Sequence, residues 1–281
     1  MIVVTPTTHT MLATAATVFI QRLLCCWLLV HSNHQRFSLP YSSRFIANTH
    51  FNKMSQTPSA STASPASSGN SNKTSDVIDF LSAARGLKTT LRTGWVMREA
   101  SPRIESVADH SWRITLMAMV AGGASVPHGI DTNKVLQMAL VHDLAESSVG
   151  DITPHCGVSD QDKHAMELEA MEKLTMKLGE QGKKFLELWQ EYERGESMEA
   201  KLCKDLDKLE MILQALEYEK DGENKKSLDG FFDSTRGKWR TELGVTWATE
   251  IEARRSIQRT DDIEKERDMK KRKTEGDTGN P

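Results

Sequence analysis

An imidazole and three carboxylates are concentrated within ten residues near the middle of this 281-residue chain. His142 and Glu146 are four residues apart, Asp143 adjoins His142, and Asp151 follows shortly after. In a helix over residues 132–147, the first three side chains would occupy neighbouring positions at one end. Buried together, the carboxylates would repel each other and be costly to desolvate, and a divalent cation would relieve both costs. An ordinary helix end with solvated acids also fits this stretch, so the flanking elements must decide.

Helices on either side of this cluster offer two further ligands. The sequence SVAD at 106–109 is typical of a capping box and predicts a helix to about Val120, with His110 in its first turn. The longest helical pattern covers residues 198–220 and contains Asp207 on a second apolar side, where an unpaired acid would be costly. Asp205 is predicted to lie on a more polar flank. Each residue alone is commonly a surface group.

The elements that must position these side chains are all predicted to be helical. Apolar residues recur at helical spacing from Ser75 onwards, and no alternating strand pattern or internal repeat is present in the sequence. We therefore predict an all-α fold. Further helices are expected from Ser75 to about Leu91, from residue 131 or 132, and over 159–178, 183–193 and 247–257, the last with Thr246 available as its cap.

The regions outside this helical body have a different composition. Residues 1–53 contain two short apolar runs, bear Ser and Arg, and are free of acids, which is typical of an organelle transit peptide. Import into a plastid or mitochondrion is expected; a signal anchor, or synthesis from Met54 giving a cytosolic protein, remains open. Residues 54–75 are predicted to be a disordered Ser/Thr/Pro linker, residues 76–258 the folded domain, and residues 259–281 a charged disordered tail.

Charge and cysteine content exclude some classes of function. Residues 1–75 carry five basic residues and no acids, which leaves 31 basic and all 39 acidic residues for the remainder. An acidic body argues against a nucleic-acid polymer as partner, because such binders need a basic surface. Neither apolar run near the start reaches the roughly 20 residues of a stable membrane span. The four cysteines show no metal-binding spacing and do not indicate a disulfide scaffold.

The order of these residues resembles that of the HD-domain metal-dependent phosphohydrolases: a His, a His-Asp pair about thirty residues later, and an Asp about sixty further on. The flanking segments look like those of the eukaryotic HD-domain 5′-deoxynucleotidases. These segments are RTGW at 92–95, ESVADHS at 105–111, ALVHDLAE at 139–146, VGDI at 149–152 and LDKLEMILQ at 206–214. The resemblance covers about residues 76–258. It implies a single HD-domain helical bundle with a metal site between helices, preceded by a disordered N-terminal extension.

The resemblance also implies ligand roles. A first divalent cation would be held by His110, His142, Asp143 and Asp207. A second would be held by Glu146, Asp151 and the backbone carbonyl of Ile152. Imidazoles and carboxylates without thiolate suit Mn²⁺, Co²⁺ or Mg²⁺, with Fe²⁺ also compatible, better than a closed structural zinc site.

Catalysis would use the cation and two acids. A cation can lower the pKa of water and neutralise phosphoryl oxygens, and Glu146 and Asp151 would orient that water or move its proton. Trp95 is either a core anchor or, as the resemblance implies, a side chain against the sugar that leaves little room for a 2′-hydroxyl. Because this chain has Gly94 where bacterial members have Arg, the phosphate contact is assigned to Arg92 or Arg98.

The expected activity is hydrolysis of 2′-deoxyribonucleoside 5′-monophosphates, small-molecule partners in nucleotide metabolism, by a homodimeric enzyme. Two alternatives stay open at this point. One is an HD-type phosphodiesterase acting on cyclic or other nucleotides. The other is a metal-stabilised binding module without turnover, which is disfavoured because Glu146 and Asp151 would be dispensable in a purely structural site.

Overall fold

The computed structural model describes residues 74–124 and 129–276, and within them the protein is a bundle of α-helices. No strand is formed in these two stretches beyond a single bridge between Leu91 and Ser106, which confirms the all-α prediction. The transit peptide and nearly all of the linker, residues 1–73, lie outside the described residues. The helices are α1 Thr74–Ala84, α2 Thr93–Arg98, α3 Val107–Ala124, α4 Thr132–Val141, α5 Glu146–Val149, α6 Asp160–Thr175, α7 Gly179–Arg194, α8 Met198–Asp221, α9 Asp229–Thr235 and α10 Glu242–Gly276.

Helix α8 is the centre of the bundle. Helices α3, α4, α7, α9 and α10 all pack against it. Its buried face contributes Leu206, Leu209 and Ile212 to the main core, where they join Ile114 of α3 and Met138 of α4. A smaller apolar cluster lies between the segment after α1 and helices α6 and α7. No helix in the described part of the chain is long and apolar enough to cross a membrane.

Side-chain caps fix the beginnings of several helices. Ser106 and Asp109 form the capping box predicted at the start of α3, with Ser106 Oγ accepting from Asp109 N and Asp109 Oδ2 accepting from Ser106 N. Ser159 caps α6 and Asp131 caps α4 by accepting from backbone amides of the first turn. The sequence therefore located the helices that carry the candidate ligands.

The helix predicted over residues 132–147 ends earlier, at Val141. The backbone then makes bonds between residues three apart, from Leu144 N to the Val141 carbonyl and from Glu146 N to the Asp143 carbonyl. These tighter turns bring the chain into the short helix α5. His142 and Glu146 are thus separated by a turn and do not share one regular helical face.

The prediction that Asp205 lies on a more polar flank of α8 is wrong. It lies on no polar flank but is fully buried, and its Oδ2 accepts hydrogen bonds from Arg240 N, Thr241 N and Thr241 Oγ1 at 2.8–2.9 Å. Gly244 approaches so closely that a Cβ there would lie 2.4 Å from this oxygen. Asp205 and Thr241 together start α10 at Glu242, five residues before the predicted Trp247. The cap comes from Asp205, which is 36 residues before Thr241, so no local pattern around Trp247 reveals it.

The end of α10 also differs from the prediction. Residues 259–276, expected to be disordered, continue the helix. Their charges are spaced for ion pairs along the helix surface, as between Asp262 and Lys265 at 3.1 Å and between Glu266 and Lys270 at 3.9 Å. Such pairs stabilise an exposed helix modestly, by about 0.2–0.5 kcal/mol each. The low apolar content was therefore a poor indicator of disorder here.

Candidate metal centre

Three segments bring the predicted ligands of the first cation together. His110 comes from the first turn of α3, His142 and Asp143 from the turn after α4, and Asp207 from the middle of α8. His110 Nε2 lies 3.3 Å from Asp207 Oδ1 and 3.7 Å from Asp143 Oδ2, and His142 Nε2 lies 3.1 Å from Asp143 Oδ2. Residues almost 100 positions apart in the chain thus meet at one point.

Buried polar atoms at this point lack hydrogen-bond partners. They are His110 Nε2, His142 Nε2 and Asp143 Oδ2. Each imidazole uses its other nitrogen within the protein, since His110 Nδ1 lies 2.5 Å from Glu210 Oε2 and His142 Nδ1 lies 2.8 Å from the Ala139 carbonyl oxygen. Both Nε2 atoms are therefore aimed at the carboxylates. Unpartnered buried donors and acceptors are costly, and a divalent cation between them satisfies all at once. The donor set fits the cation implied by the sequence.

The electrostatics of the cluster point the same way. Burial alone would raise the pKa of Asp143, but His142 and Arg92 outweigh burial and hold that pKa below its usual range. Burial raises the pKa of Glu146 well above its usual range, and the nearby charges of Asp143 and Asp151 raise it further. Several acids are thus crowded in a space where at least one resists ionisation. A bound cation would reverse this effect by favouring every carboxylate in its ionised form.

The residues predicted for a second cation adjoin the first group. Glu146, Asp151 and Ile152 all line one cavity. Glu146 is buried, and its Oε2 has no hydrogen-bond partner. Asp151 is partly engaged elsewhere, because its Oδ2 accepts from Thr93 N at 2.6 Å and its backbone carbonyl accepts from Thr93 Oγ1 at 2.7 Å. Asp151 therefore fixes the start of α2 to the wall of the site.

Residues that the sequence did not single out support the ligands. Tyr192 donates its hydroxyl to Asp207 Oδ2 at 2.7 Å. Glu210 is fully buried, faces His110, and accepts from Arg113 Nε at 2.8 Å. The position of Glu210, one helical turn after Asp207, was an available signal, because residues three apart lie on the same side of a helix. Tyr192 gave no such signal, since its partner lies on another helix.

A cavity of about 310 Å³ opens beside the metal cluster. Its walls carry the candidate acids together with four basic residues, which are Arg92, Lys163, Lys204 and Lys208. Arg92 precedes α2, and its Nη1 lies 3.5 Å from Asp143 Oδ2. A cavity that combines cation ligands with basic side chains can accept a small anionic ligand such as a phosphate ester.

The structure separates the remaining residues predicted to contact the substrate. Arg98 does not line this cavity and lies near Gly230 of α9, because six positions along a helix turn it away from Arg92. Trp95 is not on the cavity wall either. Trp95 is 2% exposed, its ring centroid lies 4.0 Å from that of Phe231 at an interplanar angle of 38°, and its Nε1 donates to Glu105 Oε1 at 2.8 Å. These contacts hold the indole in the main core.

The fold and the site together define a class of protein: a helical bundle with a His and carboxylate centre for divalent cations, open to a cavity that both acidic and basic side chains line. Comparison with known families agrees, since the HD domain matches residues 84–247. This chain belongs to the HD-domain family.

Individual relatives narrow the comparison. The 5′-deoxynucleotidase HDDC2 of Dictyostelium discoideum is 44% identical over 189 residues, which cover 64% of this chain and 99% of that protein. The human 5′-deoxynucleotidase HDDC2 is 45% identical over 182 residues, covering 64% and 86%. A solved Pyrococcus horikoshii protein is 33% identical with a TM-score of 0.54, covering 64% of this chain and 99% of its own. A predicted metal-dependent phosphohydrolase from Magnetospirillum magnetotacticum is 25% identical with a TM-score of 0.51, covering 66% and 94%.

Proposed function

We propose that this protein is a metal-dependent 5′-deoxynucleotidase, which hydrolyses 2′-deoxyribonucleoside 5′-monophosphates to deoxyribonucleosides and phosphate. The observation that carries the proposal is the convergence of unpartnered His110 Nε2, His142 Nε2 and Asp143 Oδ2 beside a cavity that also carries four basic side chains. The relatives named 5′-deoxynucleotidase, which align over most of their length, support the choice of reaction.

Each part of the site has a proposed duty. His110, His142, Asp143 and Asp207 hold the first cation, and Glu146, Asp151 and the Ile152 carbonyl hold the second. Mn²⁺, Co²⁺ or Mg²⁺ is the expected metal, which when bound supplies an activated water and neutralises charge on the phosphoryl oxygens. Histidine and carboxylate ligands do not by themselves select one of these ions.

Proton transfer is assigned to Glu146. Its buried carboxyl borders the cavity, and its Oε2 has no hydrogen-bond partner among the described residues. In its ionised form, which a nearby cation would favour, this carboxylate can accept a proton from the attacking water and deliver it to the leaving alkoxide. Asp151 is the second proposed catalytic acid, and its bonds to Thr93 hold it still while it orients the water.

Substrate contacts are assigned to the start of α2. Arg92 lines the cavity and is the proposed phosphate ligand, whereas the position of Arg98 removes the support for its alternative assignment. Trp95 is proposed to limit space near C2′ of the sugar, since its bulk fills the core directly beside the Arg92 segment. Trp95 would act without touching the sugar, because the indole does not line the cavity.

A homodimer is proposed from an exposed apolar stripe on α3. Trp112, Leu116 and Met119 are spaced to lie on one face of this helix and are 65%, 44% and 61% exposed. Leu140 on the adjoining helix α4 is also exposed. Exposed apolar side chains that share one helix face are typical of association surfaces. Sedimentation of the wild-type protein and of Trp112→Glu tests this, and a wild-type monomer at all concentrations contradicts it.

The activity is tested with the full-length protein, stripped of metal and then resupplied with single divalent cations. Phosphate release is measured from dAMP and AMP, and product formation from a cyclic nucleotide. The proposal requires metal-dependent phosphate release with dAMP preferred over AMP. Cleavage of the cyclic nucleotide alone would identify a phosphodiesterase. A metal-dependent rise in melting temperature without any turnover would identify a binding module.

A further inference from the structure

We infer that Lys204 is a phosphate-binding residue of the cavity, and that it makes the main direct contact to the phosphate from helix α8. The inference rests on the proposed function, because it names a contact to the phosphate group of the same substrate. It follows from how the four basic residues of the cavity are engaged within the protein.

Three of the four basic side chains already have protein partners. Arg92 faces Asp143 at 3.5 Å, and Lys163 Nζ lies 3.5 Å from Glu167 Oε1. Lys208 Nζ donates to the Lys204 carbonyl oxygen at 2.9 Å and lies 3.5 Å from Asp205 Oδ1. These contacts direct Lys163 and Lys208 towards the protein, whereas Arg92, the phosphate ligand proposed above, shares its charge with Asp143.

Lys204 differs from the other three. No carboxylate oxygen within the described part of the chain forms an ion pair with its ammonium group. Instead, Nζ lies 3.9 Å from the centre of the Tyr192 ring, a cation–π contact that fixes the group but leaves its donors available. Its charge therefore has no anionic partner inside a cavity that is lined by several acids.

The stem of Lys204 is held as well as its charged end. Gly195 follows α7 with a φ of +63°, and a Cβ at this position would lie 3.1 Å from Lys204 Cε. The glycine thus both permits the left-handed turn and leaves room for the lysine stem. A side chain packed along its stem and fixed at its end loses less entropy on binding than a free surface lysine.

Lys204 also lies close enough to the proposed metal ligands for one phosphate to contact both the lysine and the cation. Lys204 is three residues before Asp207 on α8, so both lie on one side of the helix. Tyr192 links them, because its ring contacts the ammonium group while its hydroxyl donates to Asp207 Oδ2. A phosphate held between the cation and Lys204 would thus contact the ammonium group of one α8 residue and the cation that another α8 residue, Asp207, is proposed to bind. Lysine binds phosphate in this way as a point charge.

The test measures binding of inorganic phosphate to the metal-loaded full-length protein by calorimetry, so that turnover is not needed. Lys204→Gln should weaken phosphate binding about tenfold, while bound metal and melting temperature stay at wild-type values. Lys204→Arg should restore most of the affinity. Lys201→Gln is the matched control, because it removes the same charge from the same helix but does not line the cavity; it should leave phosphate affinity unchanged.

The inference is wrong if Lys204→Gln binds phosphate as the wild type does, if Lys201→Gln loses as much affinity, or if the wild-type protein binds no phosphate. It is also wrong if Lys204→Gln loses metal in parallel, since the lysine would then act through Asp207. Failure of the proposed activity gives a different result: dAMP is not hydrolysed, yet the Lys204→Gln variant still shows weakened phosphate binding.

Discussion

Replacing Glu210 by Gln would keep the shape of a fully buried side chain but remove the charge that faces His110. The carboxylate can only accept hydrogen bonds, so a neutral His110 must carry its proton on Nδ1 and leave the lone pair of Nε2 for a cation. A Gln side chain can instead offer its NH₂ group to Nδ1. This would favour the opposite tautomer, in which Nε2 is protonated and cannot bind metal.

The size of the effect follows from these contacts. Loss of a carboxylate that orients a metal-binding histidine typically costs 10–100-fold in metal affinity, which corresponds to about 1.4–2.8 kcal/mol. The metal-free protein should also lose stability, because hydrogen bonds to charged groups contribute about 1.5–3 kcal/mol. Arg113 limits this second loss, since it keeps its contacts to Glu217 and Gln214. We therefore expect a free energy of unfolding about 2–3 kcal/mol lower without metal.

The assay is calorimetric titration of Mn²⁺ into the metal-free protein, together with chemical unfolding in a chelator. Glu217→Gln is the matched control, because its carboxylate binds the same Arg113 at 2.6 Å but is 46% exposed and forms no contact with His110. The control should bind Mn²⁺ within about twofold of wild type. If Glu210→Gln also binds Mn²⁺ as wild type does, the tautomer argument is refuted.

Four further outcomes are expected. His142→Ala should bind no metal at the first site and lose the rise in melting temperature that metal gives the wild type, as measured with and without a chelator. Glu146→Gln should lower kcat about 10²–10⁴-fold in steady-state assays without lowering metal-free stability, since burial already favours a neutral group there. Trp95→Ala should narrow the kcat/KM ratio of dAMP over AMP by up to roughly tenfold, because space opens for a 2′-hydroxyl; Trp189→Ala, equally buried elsewhere, should not. In the metal-free protein, burial lowers the pKa of His110 but its acidic neighbours raise it to about 10. Its stabilising contribution is therefore full below pH 6.5 and lost as pH rises towards 10, so Mn²⁺ affinity should increase over the same range, with proton release detectable by calorimetry in two buffers.

Local patterns placed two of the candidate ligands on their helices, and the family resemblance supplied their proposed role as ligands. The capping box placed His110 in the first turn of α3, and the second apolar side of α8 marked Asp207 as an acid that needed a partner. Both signals arise within one helix, where spacing reports directly on which side chains share a face. The break after Val141 was missed, because a change to tighter turns leaves no clear mark in apolar spacing.

Contacts between helices could not be predicted in this way. Asp205 and Asp207 are two residues apart and look alike in the sequence, yet Asp205 caps α10 and Asp207 faces the cavity. The contacts of the Tyr192 hydroxyl and of the Lys204 ammonium group form only because α7 packs on α8. Such pairings depend on helix rotation and register, which an apolar stripe defines only coarsely.

The buried cap at Asp205 also bears on where the chain can be cut. The match to the HD domain ends at residue 247, inside α10, although this helix continues to Gly276. A chain shortened at 247 would keep the capped first turn but lose Ile251, which packs into the main core, and Arg255, which pairs with Glu219 of α8. Loss of these two contacts would loosen the packing of α8, the helix that carries Asp207. Although α10 supplies no candidate ligand, Arg255 and Arg259 hold it on α8 through Glu219. We therefore expect a chain cut at residue 247 to be less stable than one that keeps α10 through Arg259.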